Sequence, residues 1–346
     1  MESAPTRPTR VAVVGAGVIG TRRARYACQS AKSQVVVVAD ISAERADAVA
    51  RELACAATTD WAMAVRRSDI DAVVVSCSND ALYAVSRAAL EAGKHVLTEK
   101  PLARTVAEAE ALVSAARHRG VVLKTGFNHR YHPAMLEMRR RFDLGDFGPP
   151  LFARCRYGHG GRPHYEREWR GQGHISGGGE LLDQGIHACD LFRWFLGDMV
   201  QATGFVTTAY WPMDVEDNGF GLFRSAGGAV ASVHASWTQW KNIFSFELFG
   251  RDGYAIMEGL GGSYGTEHLT VGRRRPESGP PFEELIEIAS QDVSWELEWE
   301  DFMSSIHDGR EPLGSGRDGL EALRMVHGVY EASRSGTTVT LVPSGA

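Results

Sequence analysis

Hydrophobic positions follow different rules in the two halves of this 346-residue chain. In the first half, short unbroken apolar runs rich in β-branched residues alternate with segments of helical period. Residues 10–14, 34–39, 71–76, 95–98 and 121–125 read as strands buried on both faces. Between them, 21–32, 42–53 and 81–92 read as helices, the last stopped by Gly93. A capping box, Thr105-x-x-Glu108, opens one more helix that Gly120 ends. This alternation predicts an α/β unit, a doubly wound parallel sheet of Rossmann type.

From about residue 151 the period falls to two. Residues 151–160, 200–210, 219–225, 229–237, 243–259, 267–274 and 282–289 read as strands, several joined by turns such as Ala226-Gly227-Gly228 and Arg251-Asp252-Gly253. The expectation is an α+β unit with a large, mostly antiparallel open sheet. Its helices, 176–197, 295–307 and 320–332, would cover one face, leaving the other for a second subunit. The division predicted is 1–127 for a dinucleotide-binding domain and 128–346 for a substrate-binding and oligomerisation domain.

Composition narrows the class. With 44% hydrophobic and 23% charged residues the chain is neither disordered nor membrane-like. Its start, MESAPTRPTR, has no apolar core and reads as a loose tail rather than a secretory signal. Five scattered cysteines without C-x-x-C spacing fit no disulfide framework or zinc knuckle, so no metal and a cytoplasmic location are expected. Charge is uneven: residues 1–150 hold 21 Lys+Arg against 16 Asp+Glu, the remainder 16 against 27. The basic half suits an anionic cofactor, and the acidic half disfavours nucleic acid and nucleotide sugars alike.

Candidate chemistry starts where the first strand ends. Gly15-Ala16-Gly17-Val18-Ile19-Gly20 is a G-x-G-x-x-G loop between strand and helix, and Asp40, beside Ile41, closes the second strand twenty residues past Gly20. The glycines permit a tight turn and approach to a pyrophosphate, the helix start supplies amides, and the acid grips ribose hydroxyls. An Asp there favours NAD over NADP, although Arg45 is near in sequence. Ser76-Cys77-Ser78-Asn79 and Glu99-Lys100-Pro101 follow later strands, at the end of the sheet where ligands bind. In 176–197, SGGGELLDQGIHACDLFRWFLG, helical spacing puts Asp183, His187 and Asp190 on one face. Gly185 in its middle predicts that something approaches the backbone closely, cofactor or sugar.

Together these motifs resemble the Gfo/Idh/MocA family of NAD(P)-dependent sugar and cyclitol oxidoreductases. The resemblance runs from Gly15 to about Tyr330 and also rests on Gly126-Phe127-Asn128-His129-Arg130-Tyr131-His132-Pro133 and Trp169-Arg170. It implies a catalytic set of Lys100, Asp183 and His187, with Glu99, Asn128, Trp169 and Arg170 along the cofactor. Where relatives read T-P-N and then a His, this chain has Cys77-Ser78-Asn79 and then Tyr83. Candidates for binding substrate, beside the catalytic three, are Arg130, His159, His164, Tyr165, Trp237 and Trp240.

The resulting expectation is an NAD-dependent dehydrogenase that oxidises a secondary ring hydroxyl of a carbohydrate, cyclitol or aminoglycoside-type substrate, with a role in antibiotic assembly. It would work as a homo-oligomer without nucleic-acid or membrane partners. Two alternatives stand beside it: a nucleotide-sugar 3-dehydrogenase or ketoreductase, and a same-fold enzyme using bound NAD for glycoside cleavage without net redox. A non-catalytic dinucleotide sensor would have no need of Lys100, Asp183 and His187.

Overall fold

A computed structural model describes residues 7–288 and 291–344. The first six residues of the expected tail, and Ala289 at the end of the last expected long strand, lie outside the described residues. The chain forms two compact units, Met1–Phe127 with Trp295–Leu320, and Asn128–Ser294 with Glu321–Ala346.

In the first unit, β1 (Thr9–Val14), α1 (Val18–Gln29), β2 (Ser33–Ala39), α2 (Ala43–Leu53), β3 (Ala56–Thr58), α3 (Trp61–Arg66), β4 (Ala72–Val75), α4 (Asn79–Glu91), β5 (His95–Thr98), α5 (Val106–Arg119) and β6 (Leu123–Thr125) follow in order. The six strands are parallel, in the order β3-β2-β1-β4-β5-β6. This is the order of a doubly wound dinucleotide fold. Thr105 and Glu108 form the expected capping box at α5. The short β3 and α3 escaped the sequence reading, because three residues of edge strand carry too little apolar pattern.

The helix Ser294–Asp308 changes the expected division. Its Trp299, Phe302 and Met303 join a core with Val11, Val13, Val38 and Val74, and Trp299 Nε1 donates to Ser33 Oγ at 3.0 Å. Burying three such side chains stabilises by about 1.5–3 kcal/mol each, which is why Trp295–Leu320 belongs to the first unit rather than the second.

The second unit holds α6 (Pro133–Asp143), β7 (Pro150–Gly158), α7 (Gly173–Ser176), α8 (Glu180–Asp183), α9 (Gly185–Leu196), β8 (Met199–Thr207), β9 (Asn218–Ser225), β10 (Val230–Ser236), β11 (Ile243–Gly250), β12 (Gly253–Glu258), β13 (Glu267–Arg273), β14 (Phe282–Ile288) and, after the excursion, β15 (Val339–Thr340). The nine strands run β14-β13-β12-β11-β7-β10-β9-β8-β15, antiparallel except for the β7–β10 pair. On β10, Ala231, Val233 and Ala235 are buried, and α9 packs against β7 and β10. On β8 and β9, Phe205, Phe220 and Leu222 are exposed, with Phe205 directly opposite Phe220.

The stretch 176–197 is not one helix. It breaks at Gln184 into α8 and α9, so Asp183 ends one helix and His187 lies in the first turn of the next. Three features set the break. A Cβ on Gly179 would lie 1.8 Å from the carbonyl oxygen of Glu216. The buried Glu216 carboxylate accepts from the Gly179 and Leu181 amides at 2.9 and 3.2 Å and from the Tyr330 hydroxyl at 2.7 Å. Finally, a Cβ on Gly185 would meet Leu181 and Ala235 at 2.9 and 3.0 Å. What approaches Gly185 among the described residues is Leu181 of α8 and Ala235 of β10.

Candidate active site

In the first unit the loop between β1 and α1 is shaped by its glycines. A Cβ on Gly15, whose φ is +96°, would sit 2.4 Å from Ser76 O, and one on Gly20 would sit 1.8 Å from Gly15 O. A Cβ on Gly17 would meet nothing within 4 Å, so the loop is open on that side. No side chain caps α1 there. Its first amides, with the positive end of the helix dipole, are therefore available to a phosphate. Val18 and Ile41 are 80% and 87% exposed, an unusual investment of apolar surface beside a polar loop.

Asp40 completes this cradle. Its Oδ2 accepts from the Ala16 amide at 2.7 Å, and its Oδ1 from the Ser42 amide at 2.8 Å and Arg45 Nη2 at 2.7 Å. Burial alone would raise its pKa; the Arg45 guanidinium and the two amides outweigh that and hold it below the usual value. It is thus an acceptor at neutral pH, suited to ribose hydroxyls. Ser76 and Cys77 follow β4, and burial pushes the Cys77 thiol up to about 12, which leaves it a neutral wall. Asn79 begins α4, and the Tyr83 hydroxyl accepts from Arg87 at 2.6 Å. Glu99 pairs with the buried Arg23, which also bonds Glu298 at 2.8 Å, so its carboxylate braces the end of β5. Lys100 is next in sequence, half-buried at that strand end. The uncapped helix, the open glycine and the ionised acid fit a dinucleotide.

The second unit gathers the remaining polar groups. Asp183 Oδ2 accepts from Arg170 Nε at 3.1 Å, and the Arg170 guanidinium lies 4.5 Å from the Trp169 ring centre. His187 is 4% exposed, and the ring of His129 stacks on it at 3.8 Å between centroids and 23° between planes. His129 Nε2 is 3.0 Å from the Tyr157 hydroxyl, and its Nδ1 is 3.1 Å from Asn128 Oδ1. Asn128 Nδ2 in turn donates to Ser294 Oγ at 3.1 Å. The sequence singled out the segment that carries His129 but gave His129 no role, since its partner lies 58 positions along the chain.

Other expected substrate contacts are placed differently. Arg130, 2% exposed, gives Nε and Nη2 to the two oxygens of Asp190 at 2.7 and 2.6 Å, a buried bidentate pair. Trp237 is fully buried and stands edge-on to Tyr165 at 5.0 Å, a core position. His159 packs on Tyr165 at 5.6 Å, and burial lowers its pKa. His164 is exposed, with φ +65°. Trp240 is 63% exposed at φ +54°, a conformation that costs energy in a bulky residue, and meets the 61%-exposed Tyr210 edge-on at 4.8 Å.

The Tyr210 loop is pinned by Asp217, which is wholly buried and accepts from the amides of Ala209, Tyr210 and Trp211 at 2.7–2.9 Å. Burial would raise the Asp217 pKa, but these amides outweigh it and the pKa is lowered from 3.8. A depressed folded-state pKa contributes stability that is present above the ordinary value and lost as pH falls through the folded one. Asp217→Asn should therefore cost about 1–3 kcal/mol at pH 7. Urea unfolding should show that deficit shrinking below pH 3.8; a deficit independent of pH would contradict the account.

A six-stranded dinucleotide unit with an open glycine loop, joined to a unit presenting a buried histidine and a paired acid, defines a pyridine-nucleotide oxidoreductase. Residues 9–127 match the Gfo/Idh/MocA oxidoreductase family, NAD-binding Rossmann fold, and residues 135–256 match its C-terminal domain. The chain belongs to that family and is an NAD-dependent oxidoreductase. It is 31% identical over 330 residues to a 1,5-anhydro-D-fructose reductase of Ensifer adhaerens, covering 94% of this chain and 97% of that one. It is 28% identical over 340 residues to inositol 2-dehydrogenase 3 of Saccharopolyspora erythraea, covering 95% and 94%. The structure of a levoglucosan dehydrogenase in complex with NADH and L-sorbose shares the fold, with a TM-score of 0.88 and 24% identity over 97% of this chain and all of that one. No described helix is long and apolar enough to cross a membrane.

Proposed function

We propose that the protein oxidises a secondary ring hydroxyl of a carbohydrate or cyclitol to a ketone, with Lys100, Asp183 and His187 as the catalytic groups. The observation that carries the reading is the presence, in one unit and four positions apart in sequence, of a nearly buried histidine and an acid already oriented by an arginine. Such an arrangement takes up a proton at a fixed position while excluding water. Bound NAD supplies the hydride acceptor. Its holders are the loop from Gly15 through Val18 and Ile19 to Gly20, Asp40, Ile41, Ser76, Cys77, Asn79, Tyr83, Glu99 and Lys100, joined by Asn128, Trp169 and Arg170.

His187 takes the hydroxyl proton as the C–H bond breaks. Lys100, as a cation, stabilises the charge developing on the alkoxide oxygen. Asp183, held by Arg170, accepts from a neighbouring substrate hydroxyl. His164 and Trp240 complete the proposed substrate contacts, the exposed indole offering an apolar face to a ring, while Arg130 supports them from behind through its bond to Asp190. The names of the relatives support a sugar or cyclitol, and the acidic second half favours a neutral or cationic one, such as an aminoglycoside precursor, over a nucleotide sugar.

The test is a screen of anhydro sugars, inositols, aminoglycosides and nucleotide sugars, each with NAD and with NADP, read as reduced cofactor at 340 nm. Turnover with a neutral or cationic ring and NAD is expected. Turnover confined to nucleotide sugars would overturn the substrate class, and consumption of a glycoside without reduced cofactor would favour cleavage without net redox. The exposed Phe205, Phe220 and Leu222 on one sheet face support a homo-oligomer.

A further inference from the structure

Asp183 sits at the end of a helix that cannot hold itself. α8 has four residues, too few to offset its own nucleation cost, and its N-cap, Gly179, has no side chain to cap it. Three consecutive amides at its start are met instead by one residue 37 positions along the chain. Gly179 N donates to Glu216 Oε2 at 2.9 Å, Glu180 N to the Glu216 carbonyl at 3.1 Å, and Leu181 N to Oε1 at 3.2 Å. The Tyr330 hydroxyl donates to that Oε1 at 2.7 Å. Glycines permit this closeness: a Cβ on Gly178 would lie 2.4 Å from the Tyr330 hydroxyl, and one on Gly219 would lie 2.7 Å from the Leu181 side chain. The first bond of the helix itself, Asp183 N to Gly179 O at 2.8 Å, then ties Asp183 to the clamped end.

The arginine that meets Asp183 is held from the same loop. Arg170, whose Nε reaches Asp183 Oδ2 at 3.1 Å, belongs to the turn Trp169–Gly171, and Gly171 O accepts from the Asp214 amide at 3.2 Å. Residues 208–217 close on themselves: Thr208 Oγ1 donates to Val215 O at 2.9 Å, Asp217 N donates to Thr207 O at 3.2 Å, and the Asp217 carboxylate takes the three amides already described. Glu216 therefore projects from a fixed base. We infer that Glu216 is a positioning residue for Asp183: it caps α8 from a distant part of the chain, and so sets where the Asp183 carboxylate meets Arg170 and the substrate hydroxyl. The inference rests on the reading of Asp183 as a catalytic group. A displacement on the order of 1 Å can cost such a group about a hundredfold in rate, so a residue acting only through α8 can control it.

The test uses the full-length protein labelled with 15N-arginine, without substrate, and reads solvent exchange of the Arg170 Nε–H at about pH 6, assigned by its loss in Arg170→Lys. Glu216→Gln turns one acceptor oxygen into an NH2 that faces a donor. Exchange at Arg170 should then be at least about tenfold faster. It should stay within about twofold of native in Met257→Ala, a core truncation on β12 that lowers stability elsewhere in the unit. Turnover of the inositol or anhydro sugar found in the screen above gives the second reading. Glu216→Gln should lower kcat/KM at least about tenfold with Asp183 intact, and by less than about twofold when added to Asp183→Asn, because it acts only through that residue. Native exchange at Arg170 in folded Glu216→Gln, or an equal loss of kcat/KM with and without Asp183, would overturn the inference. If Glu216→Gln does not fold, Glu216→Asp takes its place, keeping the charge a methylene short of the two amides, with the same two outcomes. The exchange needs no substrate, so normal turnover of Asp183→Asn would refute the catalytic reading of Asp183 while leaving Arg170 to judge the clamp.

Discussion

On the proposed mechanism, His187→Ala should lower turnover by at least about a hundredfold while NAD still binds, and Lys100→Met should do the same. The reason is that neither residue lies in the loop that would hold the pyrophosphate, and each removes a charge change at the reacting oxygen. Without His187 the hydroxyl proton has no acceptor but water, and the histidine's burial keeps water scarce. Without the Lys100 ammonium, the alkoxide develops with no counter-charge in a site of low dielectric. Quenching of protein fluorescence by NAD, against steady-state turnover, separates the two effects. Near-normal turnover in both variants would remove the catalytic assignment. A loss of NAD binding in step with turnover would leave Lys100 with its cofactor-holding role alone.

The second large effect concerns stability. Arg130→Leu leaves the carboxylate of Asp190, 1% exposed, without the guanidinium that meets both its oxygens, and costs about 3–5 kcal/mol. Arg130→Lys recovers little, because a single ammonium cannot match a bidentate carboxylate. The double variant Arg130→Met with Asp190→Leu recovers most of the loss, since an apolar pair of similar volume costs far less than half of an ion pair. Urea midpoints for the four proteins give the answer. A loss below about 1 kcal/mol in Arg130→Leu would mean that water reaches Asp190 and the pair is not the brace described.

What the sequence disclosed depended on the range of the contact. The Gly15–Gly20 loop and Asp40 were legible because their geometry is local: a strand, a turn and a helix start fix where the glycines must be. That the first sheet is parallel followed from alternation alone, and the period-two strands of the second unit were placed within a few residues. The packing of Gly185 against Ala235 was not legible, because Ala235 comes from a strand fifty positions away. The single-helix reading of 176–197 failed for the same reason, because the Glu216 carboxylate that seats the start of α8 arrives from a different part of the chain. Arg130 was read in the sequence as a candidate substrate contact; only the fold reveals Asp190 against it. The His129–His187 stack has no periodic signature, since each residue alone is one more buried histidine.

The return of Trp299, Phe302 and Met303 to the core beside β1 has a practical side. The NAD-binding unit is not a cassette that can be cut out at Phe127 and moved to another enzyme. A fragment ending there would carry an uncovered apolar trough and an Arg23 shorn of Glu298. A transplant that respects the architecture moves 128–294 together with 321–346 and keeps 295–320 with its host. Evolution working by the same unit of exchange could replace the second unit without touching the dinucleotide fold.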